Sequence, residues 1–353
     1  MPSSRTLPDI ALVIIAKDEQ RCIARCIDSA TSFVSRVVVL DTGSTDRTAE
    51  IASGRGAQVH HFQWCDDFSA ARNRALELAD ADWNLVLDAD EWLSAGGEWL
   101  RVLGPLAHML GTVEIQSTFE SERFTQVGQS SITRLLPRGV RYQGVVHEQP
   151  CSDLPRVATP LVVLHDGYLP DQMQRKQGRN RQLLLRELGT SPENSYVRYQ
   201  LGVDAELGRN YSDACDYFAG ALAGLCQGTA YEHDLCIRYL YCLDKAGRYE
   251  EGMEFAQAQM EMWPDSPDFF FALGGLMLDV AIDRSPGEAD HWLAMAEAAW
   301  QRCLEIGEVV PSRHGSVAGR GSYLAAHNLA VMYEQLGRTE KAQALRRSYP
   351  MPA

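Results

Sequence analysis

The first half of the chain alternates between continuous apolar runs and segments in which apolar residues recur at helical spacing. Apolar runs of this length are typical of strands that are buried on both faces. The segments between them predict helices, including a short one over Thr45–Ser53 and a longer one over Ser69–Ala79. This alternation predicts an α/β fold with right-handed crossovers and a parallel sheet covered on both faces. The four predicted strands are Ile10–Ala16, Arg36–Asp41, Ala57–Phe62 and Trp83–Asp88.

The pattern changes between Gly111 and Leu164. Short runs such as "TVEIQST", "SITRLL" and "VRYQGVV" are separated there by Gly and Pro, which predicts a mixed, partly antiparallel continuation of the same sheet. Strand patterns stop after His165. Asp171–Leu188 then predicts a basic amphipathic helix.

A repeat follows this helix. The segments "ELGRNYSDA", "KAGRYEEGM" and "QLGRTEKAQ" each place a Gly-Arg turn between two helical patterns, and Gly208 and Gly247 are 39 residues apart. Such periods indicate stacked helical hairpins, and the degenerate pattern resembles tetratricopeptide repeats. The unit over Pro267–Gly307 is irregular. We therefore predict three parts: a first domain over residues 1–170, a linking helix over 171–190 and a helical-repeat domain over 191–353.

Composition and charge narrow the class of protein. The 353 residues are 45% hydrophobic and 23% charged, which predicts a globular, soluble chain with two domains. A formal net charge of −14 argues against a nucleic-acid backbone binder. Nothing approaches the ~20 apolar residues of a membrane span. The first apolar run, Ile10–Ala16, is too short for a signal peptide, so we expect a cytoplasmic protein.

The nine cysteines show no paired CxxC spacing. Cys22 and Cys26 lie four residues apart on a predicted helix, where small core residues are expected in preference to metal ligands or a disulfide.

Polar residues follow three of the predicted strands. In an open α/β sheet, ligands bind where parallel strands end. Neither GxxxxGK[ST] nor GxGxxG follows the first strand, so the sequence does not indicate a P-loop or a dinucleotide-binding site. The predicted edge is rich in carboxylates, and carboxylates beside phosphates require a cation between them. The polar groups are Lys17-Asp18-Glu19, the run from Asp41 to Asp46, and Asp88-Ala89-Asp90-Glu91.

Asp88 and Asp90 supply the cation ligands. Residues i and i+2 of an extended segment share a side, so both carboxylates can converge on one point. Hard oxygen ligands suit Mg²⁺ or Mn²⁺, which in turn hold a diphosphate. The alternative is a solvated acidic turn after a buried strand.

Four segments together resemble the family 2 glycosyltransferases of the GT-A fold, in particular the bacterial branch with C-terminal tetratricopeptide repeats that includes peptide glycosyltransferases. The resemblance covers about residues 8–170. It implies an inverting, metal-dependent enzyme that uses a nucleotide-diphosphate sugar, with UDP-sugars favoured. The segments are "VIIAKDE", "VVVLDTGSTDRTAEIA", "DDFSAARNRALELADADWNLVLDADE" and "GVVHEQP".

The resemblance implies roles for residues around the donor. Backbone near Ala16, Lys17 and Glu19 would shape the nucleoside pocket, and Asp41 would bind the nucleobase or else cap the following turn. Arg72 would face the nucleotide, fix the loop of Asp88, Ala89 and Asp90, or else be a purely structural arginine on the helix surface. Asn73 would help hold that loop. Asp88 would contact the ribose. Asp90 would bind the metal, with His165 as a second ligand or a structural residue.

The segment "GVVHEQP" stands where this family usually carries an acidic pair, and here it reads His147-Glu148. Glu148 is the expected base, with His147 as competitor or helper. Charge growing on the leaving diphosphate would be stabilised by the metal. Arg175, Lys176, Arg179 and Arg181 would neutralise phosphates or form a solvated helix face.

The expected acceptor is a Ser/Thr hydroxyl or Cys thiol of a peptide or protein held by the repeats, which also offer a surface for homodimer formation. A glycan or lipid-linked saccharide acceptor is an alternative. A non-catalytic adaptor with a degenerate nucleotide-sugar fold is another, against which the intact Asp41, Asp88, Asp90 and Glu148 argue.

Overall fold

The computed structural model describes residues 8–104, 108–120, 125–165, 170–226, 228–283, 286–309 and 315–352, and of these 117–120, 125–129, 170–177 and 286 through their backbone alone. The chain divides into two compact units between Glu187 and Leu188. This division lies inside helix α4 (Pro170–Thr190).

The first unit contains an eight-stranded mixed sheet with the order β3-β2-β1-β4-β7-β6-β10-β5. Strands β1 to β4 pair in parallel, whereas β7 runs antiparallel to β4 and to β6, which confirms the predicted mixed continuation. A separate two-stranded ribbon pairs β8 with β9. The strands are β1 (Ile10–Ala16), β2 (Arg36–Asp41), β3 (Gln58–His61), β4 (Trp83–Asp88), β5 (Glu91–Ala95), β6 (Leu110–Glu120), β7 (Thr125–Pro137), β8 (Arg141–Gln143), β9 (Gln149–Cys151) and β10 (Arg156–His165).

The core lies on both faces of this sheet. Along β1, Leu12 and Ile14 pack into one buried cluster, while Ala11 and Val13 pack into another. Continuous apolar runs are needed for such two-sided burial, which is why the run is apolar at every position. The crossover elements are α1 (Ile23–Ala30), α2 (Thr48–Gly54) and α3 (Phe68–Ala79), and a 3₁₀ helix spans Gly97–Val102.

The second unit is helical and contains the predicted hairpins. Each Gly-Arg turn joins two helices: α5 to α6, α7 to α8, and α11 to α12. Gly247 and Gly337 adopt left-handed φ values of 70° and 71°, which explains glycine at these two turns. The irregular unit consists of the longer helices α9 and α10, with 17 and 21 residues. The helices are α5 (Ser195–Leu207), α6 (Tyr211–Ala223), α7 (Glu232–Lys245), α8 (Tyr249–Gln259), α9 (Pro267–Asp283), α10 (Pro286–Ile306), α11 (Tyr323–Gln335) and α12 (Thr339–Ser348).

Two adjacent glycines of α9 give a direct test of hairpin packing. A Cβ at Gly274 would lie 2.4 Å from the indole nitrogen of Trp300, whereas a Cβ at Gly275 would meet nothing within 4 Å. We expect Gly274→Ala to destabilise the protein by about 1–3 kcal/mol through overpacking. Gly275→Ala should stabilise it by about 0.5–1 kcal/mol, because alanine is the better helix former. Thermal unfolding of the two variants measures this difference, and equal unfolding temperatures would contradict the packing.

In the part of the chain that the structure describes, no helix combines the length and the apolar character that crossing a membrane requires.

Candidate active site

The carboxyl ends of the central strands meet at one edge of the sheet. In the parallel registers, Ala16 on β1 pairs with Asp41 on β2, and Ile15 pairs with Asp88 on β4. The polar residues that follow these strands are therefore placed side by side by the strand register, as the sequence predicts.

The loops after β1 and β2 are joined by hydrogen bonds. The backbone N–H of Asp18 donates to Ser44 Oγ at 3.0 Å, and Asp18 Oδ1 accepts from the N–H of Thr45 at 2.7 Å. The N–H of Glu19 donates to Thr48 Oγ1 at 2.7 Å. Lys17 is exposed between them. These contacts make the two loops one rigid rim beside Ala16.

Asp41 is 4% exposed at this rim. Its carboxylate accepts the N–H of Ser44 at 3.2 Å, and Oδ2 lies 3.3 Å from Nδ1 of His61. Asp41 closes its own turn, and it does not cap helix α2, whose N-terminal cap is Arg47. Nucleobase contact by Asp41 stays a prediction.

Arg72 lies between two acids. Its Nη2 donates to Asp88 Oδ1 at 2.5 Å, and its Nε donates to Glu148 Oε1. Helix α3 positions Arg72, and Asp67 fixes the start of that helix by accepting the N–H of Ala70 at 2.9 Å. The Arg72 side chain is 6% exposed and that of Glu148 is 8% exposed. The structure thus joins Asp88-Ala89-Asp90, a DXD segment in which X is any residue, to the His147-Glu148 segment through one buried guanidinium.

Arg134 on β7 is a second cation at this site, and the sequence analysis missed it. Its Nη2 donates to Asp88 Oδ2 and to Glu91 Oε1, each at 2.7 Å. Burial raises the pKa of Asp88, but the charges of Arg134 and Arg72 outweigh burial and hold that pKa far below its ordinary value. Asp88 therefore stays ionised between two arginines, with about a third of its side chain, 35%, exposed.

Glu91 begins β5 and is 4% exposed. Its Oε2 accepts the N–H of Asp88 at 2.9 Å, so Glu91 orients the turn between β4 and β5. Burial raises the pKa of Glu91, and the positive charge of Arg134 opposes this rise. The negative charge of Asp88 reinforces it, so the pKa of Glu91 lies above its ordinary value. The thiol of Cys26 donates to the carbonyl oxygen of Asp88 at 3.4 Å, so this cysteine supports the same turn from the core. All nine cysteines are free thiols.

Asp90 and His165 face each other. Asp90 Oδ2 lies 3.5 Å from His165 Nε2, and Asp90 is 4% exposed. The antiparallel pairing of β5 with β10 brings His165 opposite Glu91 and so beside the DXD turn. Burial opposes protonation of His165, but the hydrogen bond and charge of Asp90 raise its pKa above the ordinary value. Among the described residues, no three His, Cys, Asp or Glu side chains are grouped as metal ligands.

His147 and Glu148 differ in their environments. His147 is exposed and has a left-handed backbone with φ 53°, whereas the Glu148 carboxylate is buried beside Arg72. Within the part of the chain that the structure describes, Glu148 Oε2 makes no hydrogen bond to the protein. Glu148 therefore has one carboxylate oxygen fixed and one available.

Some predicted residues have other contacts. Asn73 exchanges two hydrogen bonds with the backbone of Tyr142, at 3.0 and 2.8 Å, so it fixes β8 and does not hold the DXD loop as expected. The guanidinium of Arg179 lies 5.0 Å from the ring of Phe68, at the start of α3. The side chains of Arg175 and Lys176 lie outside the described residues.

Residues 11–134 match the family described as "Glycosyl transferase family 2". They contain Asp41, which ends strand β2, Asp90, which follows strand β4, and the contacting residues Arg72, Asp88 and Arg134. Residues 11–134 are a family 2 glycosyltransferase domain.

Two curated proteins are similar to a longer part of the chain. A TPR repeat-containing protein of Synechococcus elongatus is 36% identical over 215 residues, covering 56% of this chain and 52% of that protein. The SPbeta prophage-derived glycosyltransferase SunS of Bacillus subtilis is 29% identical over 222 residues, covering 60% of this chain and 52% of that protein. These matches span about half the length of each relative.

Among solved structures, a Mycobacterium tuberculosis glucosyl-3-phosphoglycerate synthase, in complex with Mn²⁺, uridine diphosphate and glucosyl-3-phosphoglycerate, is 24% identical with a TM-score of 0.26. That similarity covers 31% of this chain and 44% of the synthase. The family match over residues 11–134 and the helical hairpins of the second unit together indicate a family 2 glycosyltransferase domain followed by tetratricopeptide-like repeats.

Proposed function

We propose that the chain is a metal-dependent, inverting glycosyltransferase that moves a sugar from a nucleotide-diphosphate sugar, preferably a UDP-sugar, to a peptide or protein side chain. The observation that carries the proposal is the convergence of Asp41, Asp88, Asp90 and Glu148 at one strand edge of a family 2 glycosyltransferase domain.

The donor would lie across the ends of β1, β2 and β4. Asp41, buried in its turn, would accept hydrogen bonds from the base, and backbone near Ala16, Lys17 and Glu19 would border the nucleoside. Asp88 keeps part of its carboxylate exposed while two arginines fix its orientation. A fixed, ionised carboxylate is suited to accept the hydroxyls of a ribose.

The pair Asp90 and His165 suits a divalent cation. Two neighbouring ligands of an octahedral ion at ~2.1 Å are separated by ~3 Å, and the Asp90–His165 distance of 3.5 Å is close to this value. Mg²⁺ commonly takes one or two protein carboxylates and completes its shell with substrate phosphates and water. When bound, such a cation would offset the charge that develops on the leaving diphosphate.

Glu148 is the proposed general base. Arg72 fixes one carboxylate oxygen, and the other would accept the proton of the acceptor hydroxyl or thiol as the new glycosidic bond forms. His147, exposed next to it, is the competing base. The contact with Arg72 favours Glu148, because a base must be held in one orientation to act on an incoming acceptor.

The helical repeats would hold the acceptor. Helical solenoids present grooves to extended chains. Residues 188–353 contain 23 acidic and 13 basic residues, a formal net charge of −10. Electrostatic complementarity therefore favours basic or neutral acceptor peptides over acidic ones.

Substitution of Asp90 tests the donor and metal assignments together. We expect Asp90→Ala to weaken Mn²⁺-dependent UDP binding at least tenfold, because one of two proposed protein ligands is lost. Isothermal titration of UDP, with and without Mn²⁺, measures the change. Asp82→Ala is the matched control, since Asp82 lies before β4 and pairs with Arg138. Undiminished Mn²⁺-dependent binding by Asp90→Ala would overturn the metal assignment.

A further inference from the structure

Arg134 occupies a β-bulge. In the antiparallel pairing of β6 with β7, Leu135 pairs with Gly111 and Thr133 pairs with Thr112, so Arg134 is the extra residue between two consecutive partners. A bulge bends its strand and re-aims one side chain. Here the re-aimed side chain reaches both acids of the turn between β4 and β5.

The stability of the fold does not explain this arrangement. Arg134 is 8% exposed, and its buried Nε has no hydrogen-bond partner among the described residues. The same is true of Nη1 of Arg72 and of the hydroxyl of Tyr142. Buried ion pairs can often be replaced by apolar residues without loss of stability, and unsatisfied donors cost free energy. A buried ion pair is therefore weak evidence of a stabilising role, and the bulge with its two acid contacts is the observation to be explained.

The contacts of Arg134 continue into the proposed base. Opposite charges alternate along one series of ion pairs, in which Arg134 joins Glu91 to Asp88 and Arg72 joins Asp88 to Glu148. If Asp88 moved, its proposed contact with the donor and the orientation of Glu148 would therefore both change.

We propose that Arg134 is a positioning residue of the transferase, fixing the turn that carries Asp88 and Asp90 and, through Asp88 and Arg72, the orientation of Glu148. This inference rests on the proposed function for its catalytic consequence. Its structural part, the fixing of the turn over residues 88–91, holds independently of the substrate.

The variants are chosen to keep the buried charge balanced. Arg134→Met combined with Glu91→Gln removes one cation and one anion, while a glutamine oxygen can still accept the N–H of Asp88. Arg134→Lys retains the charge without the guanidinium geometry. Arg138→Met is the matched control, because Arg138 follows β7 directly and pairs with Asp80 and Asp82, which precede β4.

Amide hydrogen exchange gives the readout that is independent of substrate. In the Arg134→Met/Glu91→Gln variant we expect exchange at residues 88–91 to rise at least tenfold, with exchange along β1 unchanged. The control variant should leave both segments unchanged. Unchanged exchange at residues 88–91 would overturn the positioning role. An equal rise in exchange along β1 would also overturn it, because it would show a global loss of stability.

Turnover tests the catalytic consequence. Hydrolysis of UDP-glucose with Mn²⁺ should show kcat reduced ten- to hundredfold in the double variant, with a smaller loss in Arg134→Lys, which keeps the positive charge. Wild-type-like kcat in the double variant would overturn the catalytic part. If the wild-type protein does not bind UDP, the proposed function is refuted. The exchange measurement would still show whether Arg134 fixes the turn over residues 88–91.

Discussion

Glu148→Gln is expected to reduce the transfer rate by about 10²–10⁴-fold, the usual contribution of a general base. Glutamine preserves the size of the side chain, and its carbonyl oxygen can still accept from Arg72 Nε. It cannot take up a proton from an acceptor. The loss should therefore fall on kcat, while the affinity for UDP and Mn²⁺ stays within about twofold of wild type.

Two further variants, compared with Glu148→Gln, sharpen this test. His147→Ala should cost much less than Glu148→Gln if Glu148 is the base, and the reverse order would assign the proton to His147. Glu77→Gln on the exposed face of α3 is the control for removing a negative charge from the same unit, and its side chain is 47% exposed. Sugar incorporation into an acceptor peptide, followed by mass spectrometry, measures all three rates.

Arg72→Met is expected to destabilise the first unit by about 3–5 kcal/mol. The substitution leaves Glu148 without its arginine partner, and it leaves Asp88 with only one of its two arginine partners. For a unit of this size the unfolding temperature should fall by roughly 6–20 °C. The buried Nη1 of Arg72, which has no partner among the described residues, reduces the net benefit of the wild-type contacts but does not remove the cost of unpaired acids.

Scanning calorimetry of Arg72→Met measures this loss. Arg74→Met, two residues along the same helix, removes a surface pair with Glu77 and should change stability by at most about 1 kcal/mol. Equal unfolding temperatures for Arg72→Met and wild type would show that the acids do not depend on Arg72.

The sheet was predictable because each of its first strands is a continuous apolar run. β1 and β2 match their predicted bounds, and β4 ends at Asp88 as expected. β3 is shorter than predicted, covering Gln58–His61, since Ala57 and Phe62 flank the paired segment. β5 was not predicted, because its first residue, Glu91, is a buried acid that reads as part of a polar turn.

The carboxylates of the candidate site were predictable from their positions after strands. The arginines that pair with them were harder to predict. Arg72 belongs to a segment that carries the family resemblance. Arg134 lies in "SITRLL", where nothing in the local pattern indicates which acids a single arginine contacts. The bulge that turns it towards Asp88 depends on the pairing of β6 with β7, a long-range feature that local patterns do not contain.

The repeats were predictable from their turns. Gly247 and Gly337 sit at left-handed positions that favour glycine, so the Gly-Arg pairs mark real turns. At the first turn the left-handed residue is Arg209, with φ 57°, so the glycine of that pair is not required by backbone geometry. The long helices α9 and α10 explain why the unit between the regular hairpins looked irregular in sequence.

A thermal-shift screen of nucleotide sugars, with and without Mn²⁺, tests the central claim most directly. The claim is that the carboxyl edge of the sheet binds a nucleotide-diphosphate sugar through a divalent cation. At a ligand concentration of 100 times its Kd, binding should stabilise the protein by about 2.7 kcal/mol, which raises Tm by roughly 5–11 °C. We predict such a rise for at least one nucleotide sugar, preferably a UDP-sugar, in the presence of Mn²⁺ and a smaller one without it. No rise for any nucleotide sugar under either condition would contradict the account.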